Sequence, residues 1–104
     1  MENDTTQNFS RENFTHFSIA GGWTPYDTDI NNKAIDVFNE AMRGLVGIKY
    51  TPIACATQIV NGVNYSFFCN AQVVGLDYNE AVTVSVFENL SGEVRRIGIT
   101  RTKR

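Results

Sequence analysis

From Ile30 onward the apolar positions of this chain follow two periods in turn. Ile30, Ala34, Val37, Phe38, Ala41, Met42 and Leu45 recur at helical spacing and form one stripe, while Asn31, Asn32, Lys33, Asp36, Asn39, Glu40 and Arg43 take the other side. Asp27, Thr28 and Asp29 precede the stripe as candidate N-caps, and Gly44 follows it as a C-terminal stop. Beyond the helix the period drops to two. The run Ile48 to Val60 is long and interrupted by Pro52, which predicts an edge position or a bulge there. In the next run Val63, Tyr65, Phe67, Cys69, Ala71 and Val73 share one face, and Asn64, Ser66, Asn70 and Gln72 the other, with Phe68 as the exception. A connection through Gly75 and Asp77 leads to a third strand with Val82, Val84 and Val86 inward and Thr83, Ser85 and Phe87 outward. Asn89 to Glu93 reads as a second hairpin loop, and a last strand from Val94 puts Ile97 and Ile99 inward. One helix followed by an antiparallel meander is an α+β layout. The helix covers one face of a four- or five-stranded sheet and leaves the other face polar.

Before the helix the pattern is irregular. Residues 1–18 are polar but carry Phe9, Phe14 and Phe17, and are expected to form a mobile arm ahead of a single domain over residues 19–104. Gly21-Gly22 gives a bend, Pro25 an extended or turn conformation, and Trp23 a structural anchor. The junction of the first two strands is unusual. Asn61-Gly62 is a strong tight-turn signal, because both residues tolerate positive φ. Yet Ile59 and Val60 set large apolar groups at the tip, where a plain connection carries small polar ones.

Composition narrows the function more by exclusion than by indication. With 104 residues the chain has the length of one domain and is able to bury roughly 60 to 70% of its unfolded surface. A net charge of -2 argues against both a nucleic-acid and a membrane-surface partner. Arg95, Arg96, Arg101, Lys103 and Arg104 make the end of the chain basic, which reads as a solvated strand and tail. The acidic start carries no secretory signal, so the chain is expected to be cytoplasmic or a mature secreted form. Asn-X-Ser/Thr acceptors, among them Asn8, Asn13, Asn64 and Asn89, matter only in a glycosylating pathway. Cys55 and Cys69 lie equally far from Gly62, which leaves open either a cross-strand disulfide or two small buried hydrophobes. Two cysteines and one histidine make no recognisable zinc site. His16, the only histidine, sits in the arm; Asp27 with Asp29, and Asp77 with Glu80, read as caps of a helix and a turn. There is no Gly-rich phosphate loop. The expectation is a protein that is not an enzyme and needs no metal or cofactor.

The pentapeptide Gln58-Ile59-Val60-Asn61-Gly62 fits the Gln-X-Val-X-Gly signature of the cystatin family, inhibitors of papain-like cysteine proteases. The surroundings of the signature strengthen the resemblance. Gly21-Gly22-Trp23-Thr24-Pro25-Tyr26-Asp27 looks like the opening of plant-type cystatins, the strand from Gly62 to Val73 resembles the one that leaves the signature in stefins and plant cystatins, and Val86 to Glu93 resembles the stefin segment with the second hairpin loop. The similarity runs over about residues 19–100. It implies a strongly curved antiparallel sheet around one long helix, and a three-part inhibitory edge. In that edge Ile19, Ala20 and Gly21 would be the N-terminal trunk, Gln58 to Gly62 the first loop, and Leu90 the apolar contact of the second loop. Two departures, Asn89-Leu90-Ser91 where many cystatins have Pro-Trp and Ala20 where a larger aliphatic is common, remove apolar contact and imply weaker or narrower inhibition.

Three readings of function follow. The first is a reversible wedge in the cleft of a papain-like protease; the alternative is a non-inhibitory protein-interaction module on the same fold; behind both stands a small α+β ligand-binding or enzymatic domain with a pocket between helix and sheet. The plain reading of each feature is a turn at Gln58 to Gly62, a linker at Gly21-Gly22, and a Leu90 that packs under its own hairpin. The protein is expected to be a monomer, with strand exchange left open as a route to a dimer.

Overall fold

The structure, a computed structural model, describes residues 2–3, 5–6 and 21–102. Phe9, Phe14 and Phe17, and the trunk residues Ile19 and Ala20, lie outside the described residues. Two short strands, β1 (Glu2–Asn3) and β2 (Thr5–Thr6), pair with each other. The body consists of the helix α1 (Asn32–Ala41) and four strands, β3 (Ile48–Val60), β4 (Gly62–Val73), β5 (Asn79–Glu88) and β6 (Val94–Arg101). The strands form one antiparallel sheet in the order β3-β4-β5-β6, a meander with a helix on one face. Residues 21–27 run antiparallel to the outer side of β3 as an irregular partial fifth strand, with bridges at Trp23–Gln58 and Asp27–Cys55.

The helix is shorter than its apolar stripe. It spans ten residues, about 15 Å. The N-cap is Asn31, whose side chain accepts from the Ala34 N–H at 2.8 Å. Asp27 is not the cap, because its own N–H and C=O both pair with Cys55, at 2.9 Å each, and its carboxylate accepts from the Asp29 N–H. At the other end Met42 closes the last turn and Gly44 follows at φ +90, so Leu45 leaves the helical stripe and is exposed.

The core lies between α1 and the inner face of the sheet. Ala34, Val37, Phe38 and Ala41 meet Tyr65, Phe67, Cys69, Ala71, Val82, Val84 and Val86. Phe67 is fully buried, edge-to-face with Phe38 at 4.9 Å and stacked on Tyr65 at 5.7 Å. The alternation in β4 and β5 is therefore as expected. In β6 it is not. A bulge between Ser85 and Val86 leaves Ile97 without a partner, so Arg96 rather than Ile97 stands opposite the inward Val86. The Arg96 guanidinium donates to the Ala41 carbonyl at 2.7 Å, satisfying an orphan acceptor at the helix C-terminus. Ile97 is exposed, and Ile99, although opposite the buried Val84, is exposed as well on the edge strand.

The bulge expected near Pro52 is present, with Ile53 as the extra residue. The outer face is less polar than expected: Trp23 and Tyr26 are half-exposed there with Phe68. Tyr26 reaches Ser66 with a hydroxyl contact of 2.6 Å and so crosses Ala56, which explains the burial of that alanine.

Cys55 and Cys69 are free and buried. The hairpin is centred on Asn61 rather than Gly62, so Cys55 faces Phe67 and Cys69 faces Pro52, two residues out of step. Burial pushes the Cys55 thiol from 9.0 to about 11, with a smaller push from Asp27, and the Cys69 thiol from 9.0 to about 12, with a smaller push from Cys55. Their raised values keep the thiols protonated in the fold, so their contribution to stability is complete below pH 9 and is lost as pH rises through 11 to 12. In a thiol titration with a disulfide reagent at pH 8, both cysteines should react only after denaturation, and the urea midpoint should fall above about pH 9.

Candidate functional site

The β3-β4 register runs Gln58–Asn64, Ile59–Val63, Val60–Gly62, which leaves Asn61 alone at the tip. Gly62 adopts φ +126 and is buried, and a Cβ built on it would lie 2.5 Å from the Glu88 carbonyl oxygen and 2.8 Å from the Phe87 ring. Gly62 therefore shapes the loop and contributes no contact surface. The side chains that face solvent at the tip are Ile59, 49% exposed, Val60, 42% exposed, and Asn61.

The next segments are brought beside this tip by pairing. Val63 faces Glu88, so the second loop begins next to the first. That loop is pinned by one side chain. Asn89 Oδ1 accepts from the Ser91 and Glu93 N–H groups, both at 2.9 Å, and Asn89 Nδ2 donates to the Glu93 carboxylate at 2.7 Å. Gly92, at φ +88, completes the turn. Leu90 projects from it 77% exposed, so it does not pack under its own hairpin.

On the other side, Gly21 donates its N–H to the Ile59 carbonyl at 2.9 Å. Thr24 binds Thr57 twice, its N–H to the Thr57 carbonyl at 2.8 Å and its hydroxyl accepting from the Thr57 N–H at 2.9 Å. Gln58 does not point away from the body. Its Nε2 donates to the Gly21 carbonyl at 2.8 Å and its Oε1 accepts from Asn64 Nδ2 at 2.8 Å. Gly21, Ile59 to Gly62, and Asn89 to Ser91 thus stand in a row along one end of the sheet; Ile19 and Ala20, expected to extend this row, lie outside the described residues.

Behind the row sits Glu88, whose side chain is a buried carboxylate. It accepts from Lys33 at 2.7 Å and from the Tyr65 hydroxyl at 3.2 Å, tying α1 to the sheet below the loops. Burial pushes the Tyr65 phenol well above its usual value, with smaller pushes from the Glu88 charge and from the hydrogen bond to it. The sequence pattern did not single out Glu88, the bond of Asn64 to Gln58 or the pinning role of Asn89. The last was readable, because Asn-X-X-Gly after a strand is an Asx-turn signal. The acceptor asparagines Asn64 and Asn89 have their amide nitrogen engaged, Asn64 by Gln58 and Asn89 by Glu93.

Among the described residues no group of three or more His, Cys, Asp or Glu side chains is placed to hold a metal ion. The centre of the space between helix and sheet is filled by Phe38, Phe67 and Val84, while a cavity of about 330 Å³ remains at the start of α1, lined by Ile30, Ala34, Cys55, Thr57, Val63 and Tyr65; the groove on the other side of α1 is open and lined by charges of both signs, including Lys33, Asp36, Glu93 and Arg95. No described helix is long and apolar enough to cross a membrane. Comparison of the chain with protein-family models, curated proteins and solved structures finds no match.

The two loop glycines should respond very differently to alanine. Gly62→Ala adds strain at positive φ to a clash with backbone, and should cost about 2 to 4 kcal/mol. At Gly92 a Cβ meets nothing within 4 Å, so Gly92→Ala should cost only about 1 kcal/mol. Urea unfolding of the two variants measures the contrast.

Proposed function

We propose that the protein is a reversible inhibitor of papain-like cysteine proteases, entering the active-site cleft as a wedge formed by the trunk at Gly21 and the two loops. One observation carries this reading. Three chain segments end in a row at one edge of the sheet, and their exposed large side chains, Ile59, Val60 and Leu90, are apolar although the fold does not use them. Preorganisation supports it as well. The first tip turns on a glycine locked between strands, and the second is held by three side-chain bonds of Asn89, so little conformational entropy remains to be lost on docking. The resemblance of Gln58 to Gly62 to the cystatin signature names the partner class. A wedge of this kind acts by occlusion and uses no nucleophile, metal or cofactor.

Roles divide within the row. Val60, Ile59 and Leu90 are the contact groups, each able to contribute on the order of 1 to 2 kcal/mol by burial. Gln58 and Gly62 hold the loop in shape. Asn89-Leu90-Ser91, standing where many cystatins have Pro-Trp, leaves one apolar side chain on the second loop, which points to weaker inhibition than a full wedge would give.

Titration of papain with the purified protein and a fluorogenic peptide tests the reading. Inhibition at micromolar affinity or tighter is expected, and Val60→Asp should weaken it at least about tenfold, equivalent to about 1.4 kcal/mol, with an unchanged urea midpoint. Val60 suits this test better than Gly62, where loss of inhibition would reflect a misshapen loop. A folded protein that leaves papain and a cathepsin-type endopeptidase uninhibited at tens of micromolar would reject the proposal in favour of the non-inhibitory interaction module.

A further inference from the structure

We infer that Asn64 and Gln58 form a side-chain clamp that positions the trunk against the first loop, with Asn64 acting through Gln58 as a positioning residue. The inference rests on the inhibitory reading for its purpose, but its geometry stands by itself. Residues 24 and 27 are attached to β3 by paired bonds, the Thr24 N–H and hydroxyl to Thr57 and both backbone groups of Asp27 to Cys55. Gly21, the last described residue of the trunk, has the single backbone bond from its N–H to Ile59. Its carbonyl is bound by the Gln58 side chain at 2.8 Å.

A carbonyl oxygen only accepts, so the Gln58 atom that faces Gly21 must be the amide nitrogen. The Gln58 oxygen then faces the opposite way and needs a donor, which Asn64 Nδ2 supplies from the neighbouring strand at 2.8 Å. Asn64 therefore selects which end of the Gln58 amide meets the trunk, without touching the trunk itself. Gln58 and Asn64 are direct cross-strand partners two rungs from the turn, so the clamp is built into the register of the same hairpin that carries Val60. The trunk and the loop are held as one unit through it.

The chemistry gives a distinctive test. In Asn64→Asp the carboxylate offers no donor at neutral pH, so Gln58 should turn its nitrogen toward it and present its oxygen to the Gly21 carbonyl. Two oxygens then face each other and the trunk is released. In Asn64→Ala the Gln58 nitrogen is free to keep its bond to Gly21, so the effect should be smaller, although more of the side chain has been removed.

Trp23, the only tryptophan, lies two residues from Gly21, bridges to Gln58 and is half-exposed, so its fluorescence reports trunk docking in the full-length chain. Acrylamide quenching relative to wild type should rise about twofold in Asn64→Asp and in Gln58→Leu, and less in Asn64→Ala, while far-UV dichroism and the urea midpoint change little. Below about pH 4 the introduced carboxyl regains its proton and its donor, and the Asn64→Asp quenching should return toward wild type measured at the same pH. Equal effects of Asn64→Ala and Asn64→Asp, an effect that persists in acid, or no change in quenching would each overturn the clamp. Papain inhibition, measured in parallel, should weaken in the same order as the quenching rises. A wild-type protein that fails to inhibit would reject the inhibitory reading, whereas the quenching order alone decides the clamp.

Discussion

The loop end of this fold depends on one close approach, that of the Gly62 backbone to the carbonyl of Glu88. A side chain at residue 62 would need space already occupied 2.5 Å away, and the φ of +126 excludes most residues independently. The approach lets β4 begin hard against the end of β5, so the two hairpin tips emerge together. The side chain of the same Glu88 turns inward to Lys33 and Tyr65, where it attaches the first turn of α1 to the sheet. Lys33 is largely exposed, which limits the ion pair to about 1 kcal/mol or less. The larger cost would come from removing the partners of a buried carboxylate. Backbone and side chain of one residue thus join the helix, the first loop and the second.

Rigidity is graded along the same end. The second loop is held internally, by Asn89, and needs nothing from the rest of the molecule. The first loop is held by its register and by Gly62. The trunk is held by successive attachments that thin out toward its start: two backbone bonds at Asp27, a backbone and a hydroxyl bond at Thr24, and one backbone bond with one side-chain bond at Gly21. Residues that shape the end are small or polar and hydrogen-bonded, and those that project from it are apolar. This separation explains why a single pentapeptide contains both kinds.

Much of this was legible in the sequence, for a physical reason. Burial of one sheet face imposes strict alternation on β4 and β5, and Tyr65, Phe67, Cys69, Val82, Val84 and Val86 follow it. Pro52 announced its own bulge. The failures come where a second interaction overrode the local pattern. Asp27 looks like a cap but is committed to Cys55, a partner 28 residues away, and Asn31 caps instead. The bulge in β6 lies beside Gly98, a bulge signal that the alternation of Ile97 and Ile99 masked, and it gives the inward place to Arg96, which has the helix C-terminus to satisfy. The position of the candidate site was readable from Gln58 to Gly62, but the division of labour inside it was not. Gln58 looks like contact surface until Gly21 and Asn64 are placed beside it, and no local rule links residues 21, 58 and 64.

If the edge enters a cleft as proposed, the arithmetic of association requires it to be rigid. Three exposed apolar side chains at about 1 to 2 kcal/mol each give roughly 3 to 6 kcal/mol. Loss of translational and rotational freedom costs about 4 to 15 kcal/mol, so these side chains alone would bind nothing tightly. The remainder must come from backbone contacts made by three segments at once, and those count only if the segments are already aligned. Each trunk or loop residue left to order on binding would cost about 1 to 2 kcal/mol of backbone entropy, which would consume the gain from an apolar tip. The Glu88 junction, the Asn89 pin and the Gln58 bonds incur that ordering during folding instead. On this view the bonds behind the row matter to affinity as much as the side chains in front of it.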